Sequence, residues 1–243
     1  MNKIKYTQEQ LDKIIDDHEL WLRSNNKGKH ADLSHADLNY ANLSLRGANL
    51  SFAYLSYANL RGVNLSFAYL RHVNLRHANL RHADLRGANL SDTNLSDTDL
   101  KNANLRDADL KRANLINANL SDANLRYANL RGTYLRQANL RYANLKHANL
   151  SFADLSFADL SKTNLRWCIG DGTYICNILT KGYHVTYTKD VIAIGCVQDN
   201  YKYFKGLTPR EAEKLDGGAG KWWKKNKKHI MGIIENTDWG GSK

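Results

Sequence analysis

Histidine and cysteine side chains are the residues of this sequence that could coordinate a metal ion. Three histidines recur at a spacing of five, namely His72, His77 and His82. Three cysteines and one further histidine follow nearer the carboxyl terminus: Cys168, Cys176, Cys196 and His184. Zinc needs several such ligands to converge on one point, and zinc fingers supply them in closely spaced pairs. The cysteines here form no such pairs, so we expect small buried side chains; zinc bound by the cysteines and His184 is the alternative.

Catalytic constellations do not stand out in the sequence. There is no evident serine, histidine and aspartate set, no pair of glutamates and no glycine-rich phosphate loop, and residues 31–167 contain no glutamate at all. The sequence therefore predicts a protein that is not an enzyme and that uses no cofactor and no metal ion.

A repeat of five residues determines the secondary structure of most of the chain, including the part that carries His72, His77 and His82. Its phrase is alanine, then asparagine or aspartate, then leucine, beginning at 31–33 and ending at 163–165. Leucine is central in all 27 copies, and two extra residues, Ser44 and Leu45, interrupt the phase once. A period of five fits neither a helix nor a strand, so the chain must turn regularly and form a solenoid. Leucine and the small residue two positions before it never carry charge and are predicted to form the core.

This phrase resembles A(D/N)LXX, the signature of the pentapeptide-repeat proteins, over more than half of the chain. The resemblance implies a β solenoid, namely a right-handed quadrilateral β-helix with four repeats in each coil. Residues 31–167 would then make about 6.75 coils, and at the ~4.8 Å spacing of stacked strands the rod would be roughly 32 Å long. Residues twenty positions apart would stack on one another.

Stacking at that interval separates the three histidines, because a spacing of five places them on successive faces of the rod. Their expected neighbours are Phe52 and Asp92 for His72, Tyr57 and Asp97 for His77, and Gly62 and Asn102 for His82. No histidine stacks on another, so no metal site is predicted. Five outward-facing aromatic residues are expected to pack beneath the ends of the solenoid, with an interface role as the alternative: Phe52, Tyr57, Phe67, Phe152 and Phe157.

Positive charge is concentrated in two bands of the repeats, which we call the basic collars. Residues 61–90 carry a net charge of +4 and residues 126–150 carry +5, whereas residues 91–125 between them carry −2. The candidate partner-binding residues are Arg61, Arg71, Arg76, Arg81, Arg86, Arg106, Arg126, Arg131, Arg136, Arg141, Lys146 and Arg166. They predict an anion-binding surface for an acidic protein or for nucleic acid. A merely solubilising surface is the alternative, because unit charges ~4.8 Å apart in water repel by only about 0.9 kcal/mol.

The resemblance also implies a function, because the best-known activity of pentapeptide-repeat proteins is inhibition or protection of DNA gyrase by mimicry of duplex DNA. Such a mimic should present continuous negative charge, whereas the repeats here carry a net charge of +6. We therefore predict a non-enzymatic protein-binding scaffold aimed at an unidentified host or phage protein. A topoisomerase modulator acting by DNA mimicry and a basic nucleic-acid-binding rod are the alternatives. A homodimer through the carboxy-terminal end is a further implication of the resemblance.

Residues 1–30 are predicted to form a capping helix and a linker. Thr7 and Gln10 fit a capping box, and the helix should end near Ser24. Its apolar face comprises Leu11, Ile14, Ile15, His18 and Leu22. A solenoid exposes its core at each end, so Leu11, Ile15 and Leu22 are expected to cover the first coil.

Residues 168–243 are predicted to form a small α+β domain, which resembles a module that follows the repeats in phage and prophage proteins. Three antiparallel strands are expected within 173–179, 183–188 and 191–197. Two helices should follow, one from Thr208 to about Leu215 and one over about 219–236. We expect Trp222, Trp223 and the isoleucines of the second helix to pack on the sheet, with its lysines in water. A helix that binds a membrane or nucleic acid is the alternative.

Composition bounds the setting of the protein. The chain has 243 residues and a net charge of +11, and its odd number of cysteines does not suggest a disulfide framework. The basic first residues are not followed by the apolar stretch of a signal peptide. No apolar run approaches the roughly eighteen residues that a membrane span needs. We therefore expect a cytoplasmic protein that does not associate with membranes.

Overall fold

The computed structural model describes residues 4–24, 27–39, 45–170, 175–179, 184–188, 192–194, 197–216 and 219–237. Its elements in chain order are β1 (Ile4–Lys5), α1 (Gln8–Arg23), β2 (Ala36–Asp37), β3 (Cys176–Leu179), β4 (His184–Tyr187), β5 (Ile192–Ile194), β6 (Val197–Asp199), α2 (Tyr201–Gly206), α3 (Pro209–Leu215) and α4 (Ala219–Glu235). The solenoid begins before β2, which belongs to its first coil, and ends before β3; its sides are joined by single-residue parallel β-bridges.

Backbone hydrogen bonds join each coil of the solenoid to the next at an interval of twenty residues. From Asn49 to Asn149, every bridged residue pairs with the residue twenty positions further along the chain. In the middle of the rod, the amide of Leu105 donates to the carbonyl of Asn124 (2.8 Å), and the amide of Asn124 donates to the carbonyl of Ala103 (3.0 Å). The four-sided β-helix is therefore confirmed.

The first coil is two residues longer than the others. Asp32 pairs with Tyr54, an interval of twenty-two residues. Leu45, which the sequence analysis assigned to the insertion, is fully buried and lies one repeat before the buried Leu50. That assignment is wrong for Leu45, because Leu45 occupies the leucine position of a repeat; residues 40–44 lie outside the described residues.

The core consists of the leucines and small residues that the repeat predicts. The repeat leucines from Leu45 to Leu155 are at most 1% exposed. Threonine replaces alanine at four buried positions: Thr93, Thr98, Thr133 and Thr163. Each of these hydroxyls donates to a leucine carbonyl 2.6–2.8 Å away, so the buried polar atoms are satisfied.

Each side of a coil ends in a turn that contains a residue with positive φ. At one such turn the amide of Ala83 donates to the carbonyl of Leu80 (3.1 Å), and His82 between them has a φ of 59°. Equivalent positions hold His, Asp, Asn, Tyr, Phe, Trp, Arg, Lys, Gln and Gly, and none of those described is β-branched. Left-handed backbone is strained for most residues and most severely for β-branched ones. The repeated ladder therefore imposes this conformation on side chains that would otherwise avoid it.

Substitution at one turn measures that strain. We expect His82→Val to be less stable than His82→Gly by about 1–2 kcal/mol, because both remove the imidazole but only valine is strained at positive φ. Urea unfolding followed by circular dichroism gives the difference. Equal midpoints for the two variants would show that the turn adapts freely.

Helix α1 packs against the amino-terminal end of the solenoid core. The hydroxyl of Thr7 accepts a hydrogen bond from the amide of Gln10, whose side chain accepts one from the amide of Thr7, so the capping box opens the helix as its sequence predicts. Leu11 is fully buried in the same cluster as the solenoid leucines, and Tyr6, Ile14 and Ile15 pack against it. Leu22 is half-buried and is not among the residues that pack on this cluster.

His18 joins α1 to the first coil by two hydrogen bonds. The amide of Ala31 donates to Nδ1 (3.1 Å), and Nε2 lies 3.0 Å from the carbonyl oxygen of Ser51, to which it donates in the neutral ring. The imidazole is fully buried, and burial lowers its pKa below the ordinary value of 6.5, with the nearby His30 acting in the same direction. The hydrogen bond to Ser51 and the charge of Glu19 oppose that shift.

Acidification should therefore destabilise this end of the protein. The unfolded chain binds a proton at His18 more readily than the folded chain, so stability decreases as the pH falls below about 6.5 and continues to decrease towards the lowered folded-state pKa. Protonation would also remove the lone pair that accepts from Ala31. We expect the fall in Tm between about pH 8 and about pH 5 to be smaller in His18→Gln than in the wild type. An unchanged pH profile would contradict this role.

The carboxy-terminal part contains an antiparallel sheet in the order β3-β4-β5-β6. Three strands were predicted, and the described residues of this part form four, because the expected third strand corresponds to two, β5 and β6. Two helices were predicted and three are present, since α2 was missed. Asn200 caps α2 through a hydrogen bond from the amide of Tyr203 to its side chain (2.9 Å). The last two helices, α3 and α4, begin where the sequence places them.

Helix α4 packs its apolar face into the core of this domain. Trp223 is 2% exposed, clusters with Val185 and Ile192 of the sheet, and donates from Nε1 to the carbonyl of Leu207 (3.0 Å). Lys227 is half-buried and donates to the same carbonyl (2.8 Å), so not every lysine of α4 lies in water as expected. No helix in the described part of the chain has the length and apolar character required to cross a bilayer.

The sheet contacts the last coil of the solenoid through β6. The amide of Leu165 donates to Oε1 of Gln198 (3.0 Å), and the side-chain amide of Gln198 donates to the carbonyl of Thr163. Cys168 and Ile175 are fully buried in the solenoid cluster. The carboxy-terminal part therefore covers one side of the end of the rod.

Candidate partner-binding surface

Aspartates neutralise most of the first basic collar. Ion pairs join Arg71 to Asp92 (3.6 Å), Arg76 to Asp97 (3.3 Å), Arg81 to Asp99 (3.1 Å) and Arg86 to Asp84 (2.6 Å). Three of these pairs reach from the collar into the acidic band of the next coil. A partner that binds these four arginines would therefore compete with carboxylates of the same chain.

The acidic band is itself held by these pairs. The Asp92 carboxylate accepts from Nε of Arg112 (2.7 Å) and also lies beside Arg71. The hydrogen bond from Arg112 is the main cause that lowers the pKa of Asp92, with smaller contributions from the charges of Arg112, His72 and Arg71. A hydrogen bond from Arg86 similarly lowers the pKa of Asp84. These carboxylates are ionised and paired at neutral pH.

Five cations twenty positions apart form a column along one face of the rod, namely Arg86, Arg106, Arg126, Lys146 and Arg166, and aromatic rings lie beside it that the sequence analysis missed. Tyr127, His147 and Trp167 stack at centroid distances of 4.7 and 5.1 Å. Arg126 lies over Tyr127 at 5.6 Å, and Lys146 lies over Trp167 at 4.3 Å. Arg106 of this column pairs with Asp107 at 3.1 Å, and Arg86 pairs with Asp84 as described above. The signal was present as aromatic residues twenty positions apart, but it becomes visible only once the coil length is known.

The second collar keeps more unpaired charge than the first. Arg141 has a long ion pair to Asp159 (3.8 Å), whereas Arg131 and Arg136 form no ion pair with any described residue. Arg131 instead lies over the ring of Phe152 at 5.3 Å. Arg136 contributes to a lowered pKa at Asp154, whose main cause is the hydrogen bond from the Ser156 hydroxyl.

The histidines stack as the coil length predicts. His72 stacks on Phe52 (4.9 Å) and His77 stacks on Tyr57 (4.7 Å). Nε2 of His77 also lies 3.9 Å from Asp97. Among the described residues, no three metal-ligating side chains come together.

The alternative of a zinc site formed by the three cysteines and His184 falls partly outside the described residues. Cys196 and the side chain of His184 are not described, while Cys168 is a buried thiol and Cys176 a half-buried one.

The aromatic residues at the carboxy-terminal end are not packed beneath a lid. Phe152 is 75% exposed and Phe157 is 82% exposed, so the expectation that they would be covered is wrong. At the other end of the rod Phe52 and Tyr57 are half-exposed and lie against histidines. The two ends of the solenoid therefore present different aromatic surfaces.

The fold and its repeat define a class of protein. The family model for pentapeptide repeats (8 copies) matches residues 29–66, 44–81, 64–102, 103–141 and 128–166. These matches overlap to cover more than half of the chain, so the chain belongs to the pentapeptide-repeat family. No curated protein sequence matches it significantly.

Several solved structures are similar to this chain. QnrB1, described as a plasmid-mediated fluoroquinolone resistance protein, is 22% identical over 55% of this chain and 67% of its own, with a TM-score of 0.39. A pentapeptide repeat protein from Nostoc is 28% identical over 49% of this chain and 84% of its own, with a TM-score of 0.37. HetL of Nostoc, described as involved in heterocyst differentiation regulation, is 32% identical over 59% and 84%, with a TM-score of 0.21.

Proposed function

We propose that this protein is a non-enzymatic scaffold that binds another protein through the outer surface of its solenoid. The observation that carries the proposal is the exposure of ten aromatic side chains on the rod, between 46% and 82%. They are Phe52, Tyr54, Tyr57, Phe67, Tyr69, Tyr127, Tyr134, Tyr142, Phe152 and Phe157. Large aromatic side chains with neighbouring arginines are the commonest hot spots of protein interfaces. A rod that served only as a spacer would not need them.

Nucleic-acid binding is less well supported by the charges. Such a rod needs a continuous track of cations along the phosphates, because phosphate contacts dominate affinity. The pairs of Arg71, Arg76, Arg81 and Arg86 with aspartates interrupt that track in the first collar. The alternative predicts tight binding of DNA with a steep salt dependence, which a fluorescence titration at several salt concentrations measures.

DNA mimicry is also less well supported. A mimic must present unpaired negative charge in a continuous line. Asp92, Asp97 and Asp99 of the acidic band each lie beside an arginine of the preceding coil. This alternative predicts inhibition or protection of gyrase, which a supercoiling assay measures.

Catalysis has little support from the cavities of the described residues. The apolar cavity in the carboxy-terminal domain, lined by Phe204, Leu207 and Trp222 among others, is partly open to solvent and has a volume of about 30 Å³. Pockets that bind small molecules are usually about ten times larger than this cavity. The larger depressions, of about 450–660 Å³, are open surface grooves. The proposal therefore places function on the surface of the rod.

Affinity capture from a lysate of the organism that encodes the protein tests the proposal. We expect one protein to be retained in stoichiometric amount after nuclease treatment and at moderate salt. Recovery of nuclease-sensitive material alone would favour the nucleic-acid alternative. If only gyrase subunits are retained and supercoiling changes, the topoisomerase alternative replaces the general proposal.

A further inference from the structure

The carboxy-terminal coils bring an unusual group of side chains together on one face of the rod. Residues 131–137 and 151–157 are the same side of two successive coils, joined by the bridge between Tyr134 and Asp154. The amide of Gly132 donates to the carbonyl of Ser151 (2.9 Å), which sets the two turns side by side. Phe152 and Phe157 therefore occupy the two corners that flank one strand, with the half-exposed Tyr134 in the coil before it.

The exposure of these phenylalanines has a local cause. The residue twenty positions before Phe152 is Gly132, which has no side chain to stack on the ring. Arg131 lies over that ring instead, 5.3 Å from its centroid. The corresponding neighbour of Phe157 is Gln137, which is not aromatic. Both rings keep more than 70% of their surface in contact with solvent.

The same face five coils earlier provides an internal comparison. There the aromatic residues Phe52 and Tyr57 stack on His72 and His77. The arginines Arg71 and Arg76, which lie on this face three coils before Arg131 and Arg136, form ion pairs with Asp92 and Asp97. Among the described residues of this face, exposed aromatic rings lie beside arginines without ion pairs only near its carboxy-terminal end.

We propose that the 131–157 patch, defined as Arg131, Tyr134, Arg136, Phe152 and Phe157, binds an acidic segment of a protein partner that also carries apolar side chains. Guanidinium groups donate paired hydrogen bonds to carboxylates, and the two phenylalanines offer apolar surface between and beside them. The proposal deepens the scaffold function and rests on it.

Charge complementarity favours a protein segment over a nucleic acid. The patch has two arginines without ion pairs, but Asp154 lies between its corners and would repel a phosphate backbone. The row of cations extends only one coil back from Arg131, to Lys111, because Ser91 precedes Lys111 and Ile116 precedes Arg136. Ser151 and Ser156 follow Arg131 and Arg136 in the next coil. A short acidic and apolar segment can avoid Asp154, whereas a nucleic acid needs a continuing row of cations.

Selection from a displayed random peptide library, with the full-length protein as bait, tests the patch. We expect the enriched peptides to combine Asp or Glu with aromatic or aliphatic residues. Their affinity should fall roughly tenfold or more in the Phe152→Ser/Phe157→Ser variant. It should also fall in Arg131→Gln/Arg136→Gln and weaken with added salt, because carboxylates are recognised.

Matched variants control for damage to the fold. His72→Ser/His77→Ser and Arg71→Gln/Arg76→Gln change the corner and arginine positions of the same face in an earlier coil, and they should bind the selected peptides as the wild type does. Circular dichroism should show that all four variants keep the wild-type unfolding midpoint within a few degrees.

Three results would overturn the inference. The first is that no peptide is enriched, or that the enriched peptides lack acidic residues. The second is that the Phe152→Ser/Phe157→Ser variant binds the peptides as tightly as the wild type does, and the third is that a labelled oligothymidine binds the wild type more tightly than the peptides do and does not bind this variant. If that variant captures the nuclease-resistant lysate protein as well as the wild type does, the scaffold function stands and this location for it fails.

Discussion

Replacing Leu105 with alanine is expected to lower the free energy of unfolding of the solenoid by about 2–5 kcal/mol, the usual cost of a cavity left by a fully buried leucine. Leu105 is 0% exposed and lies in the middle of the rod. Each coil contacts only its two neighbours, so the loss cannot be shared with a larger core. The narrow interior, filled by one leucine and one alanine per repeat, leaves little room for repacking.

Leu160 provides the matched control for this prediction. It lies in the last coil, is only half-buried and packs at the edge of the same cluster. Leu160→Ala should cost less than Leu105→Ala, because less of its surface leaves water on folding. Urea unfolding followed by circular dichroism measures both. Equal losses would contradict a core whose stability is built coil by coil.

Replacing Trp223 with alanine should unfold or severely loosen the carboxy-terminal domain, at a cost of about 3–5 kcal/mol. The indole is 2% exposed, lies edge-on to Phe204 at a centroid distance of 6.1 Å and donates a hydrogen bond to Leu207. Its removal leaves a cavity and takes one donor from the carbonyl of Leu207.

The adjacent Trp222 is the control, since it is half-buried and lies at the margin of the same cluster. Trp222→Ala should have a clearly smaller effect. Hydrogen exchange should show loss of protection in α2, α3 and α4 of Trp223→Ala while the solenoid amides stay protected. Simultaneous loss of protection in the solenoid would mean that the rod depends on this domain.

The solenoid could be predicted almost completely from the sequence because its rule is local. Leucine and alanine repeat with a period of five, and burial of Leu105 and Ala103 follows from that pattern alone. The number of sides came from the resemblance, and the interval of twenty residues in the bridges confirms it. The position of Leu45 was missed because Leu45 lacks the alanine and asparagine that precede most repeat leucines, and its place in the core follows from its burial.

The carboxy-terminal domain was less predictable. The capping boxes of α1 and α3 are short-range signals, and both are formed as the sequence indicates. The separation of β5 from β6 depends on how the strands pair, and α2 has only six residues. Neither feature has a periodic signal long enough to be distinguished from its surroundings.

The candidate surface was predicted least well. Counting charges over bands about thirty residues long placed Arg71 and Arg76 in a basic collar, whereas they pair with Asp92 and Asp97 across the boundary to the next band. Such diagonal contacts join residues twenty-one positions apart, and a net charge summed over a whole band of residues does not reveal them. The exposure of Phe152 depends on Gly132 in the coil before it, which a list of outward-facing aromatics does not reveal.

The position of every surface residue follows from a coil length of twenty residues. The distance between two spin labels five coils apart tests this coil length most directly. Spin labels would be attached at Ser56→Cys and Ser156→Cys, with Cys168, Cys176 and Cys196 replaced by alanine. Four repeats per coil separate the two sites by five coils, so pulsed electron resonance should give a narrow distribution near ~24 Å. A distance of about 32 Å, as three repeats per coil would give, would contradict the fold and every surface argument built on it.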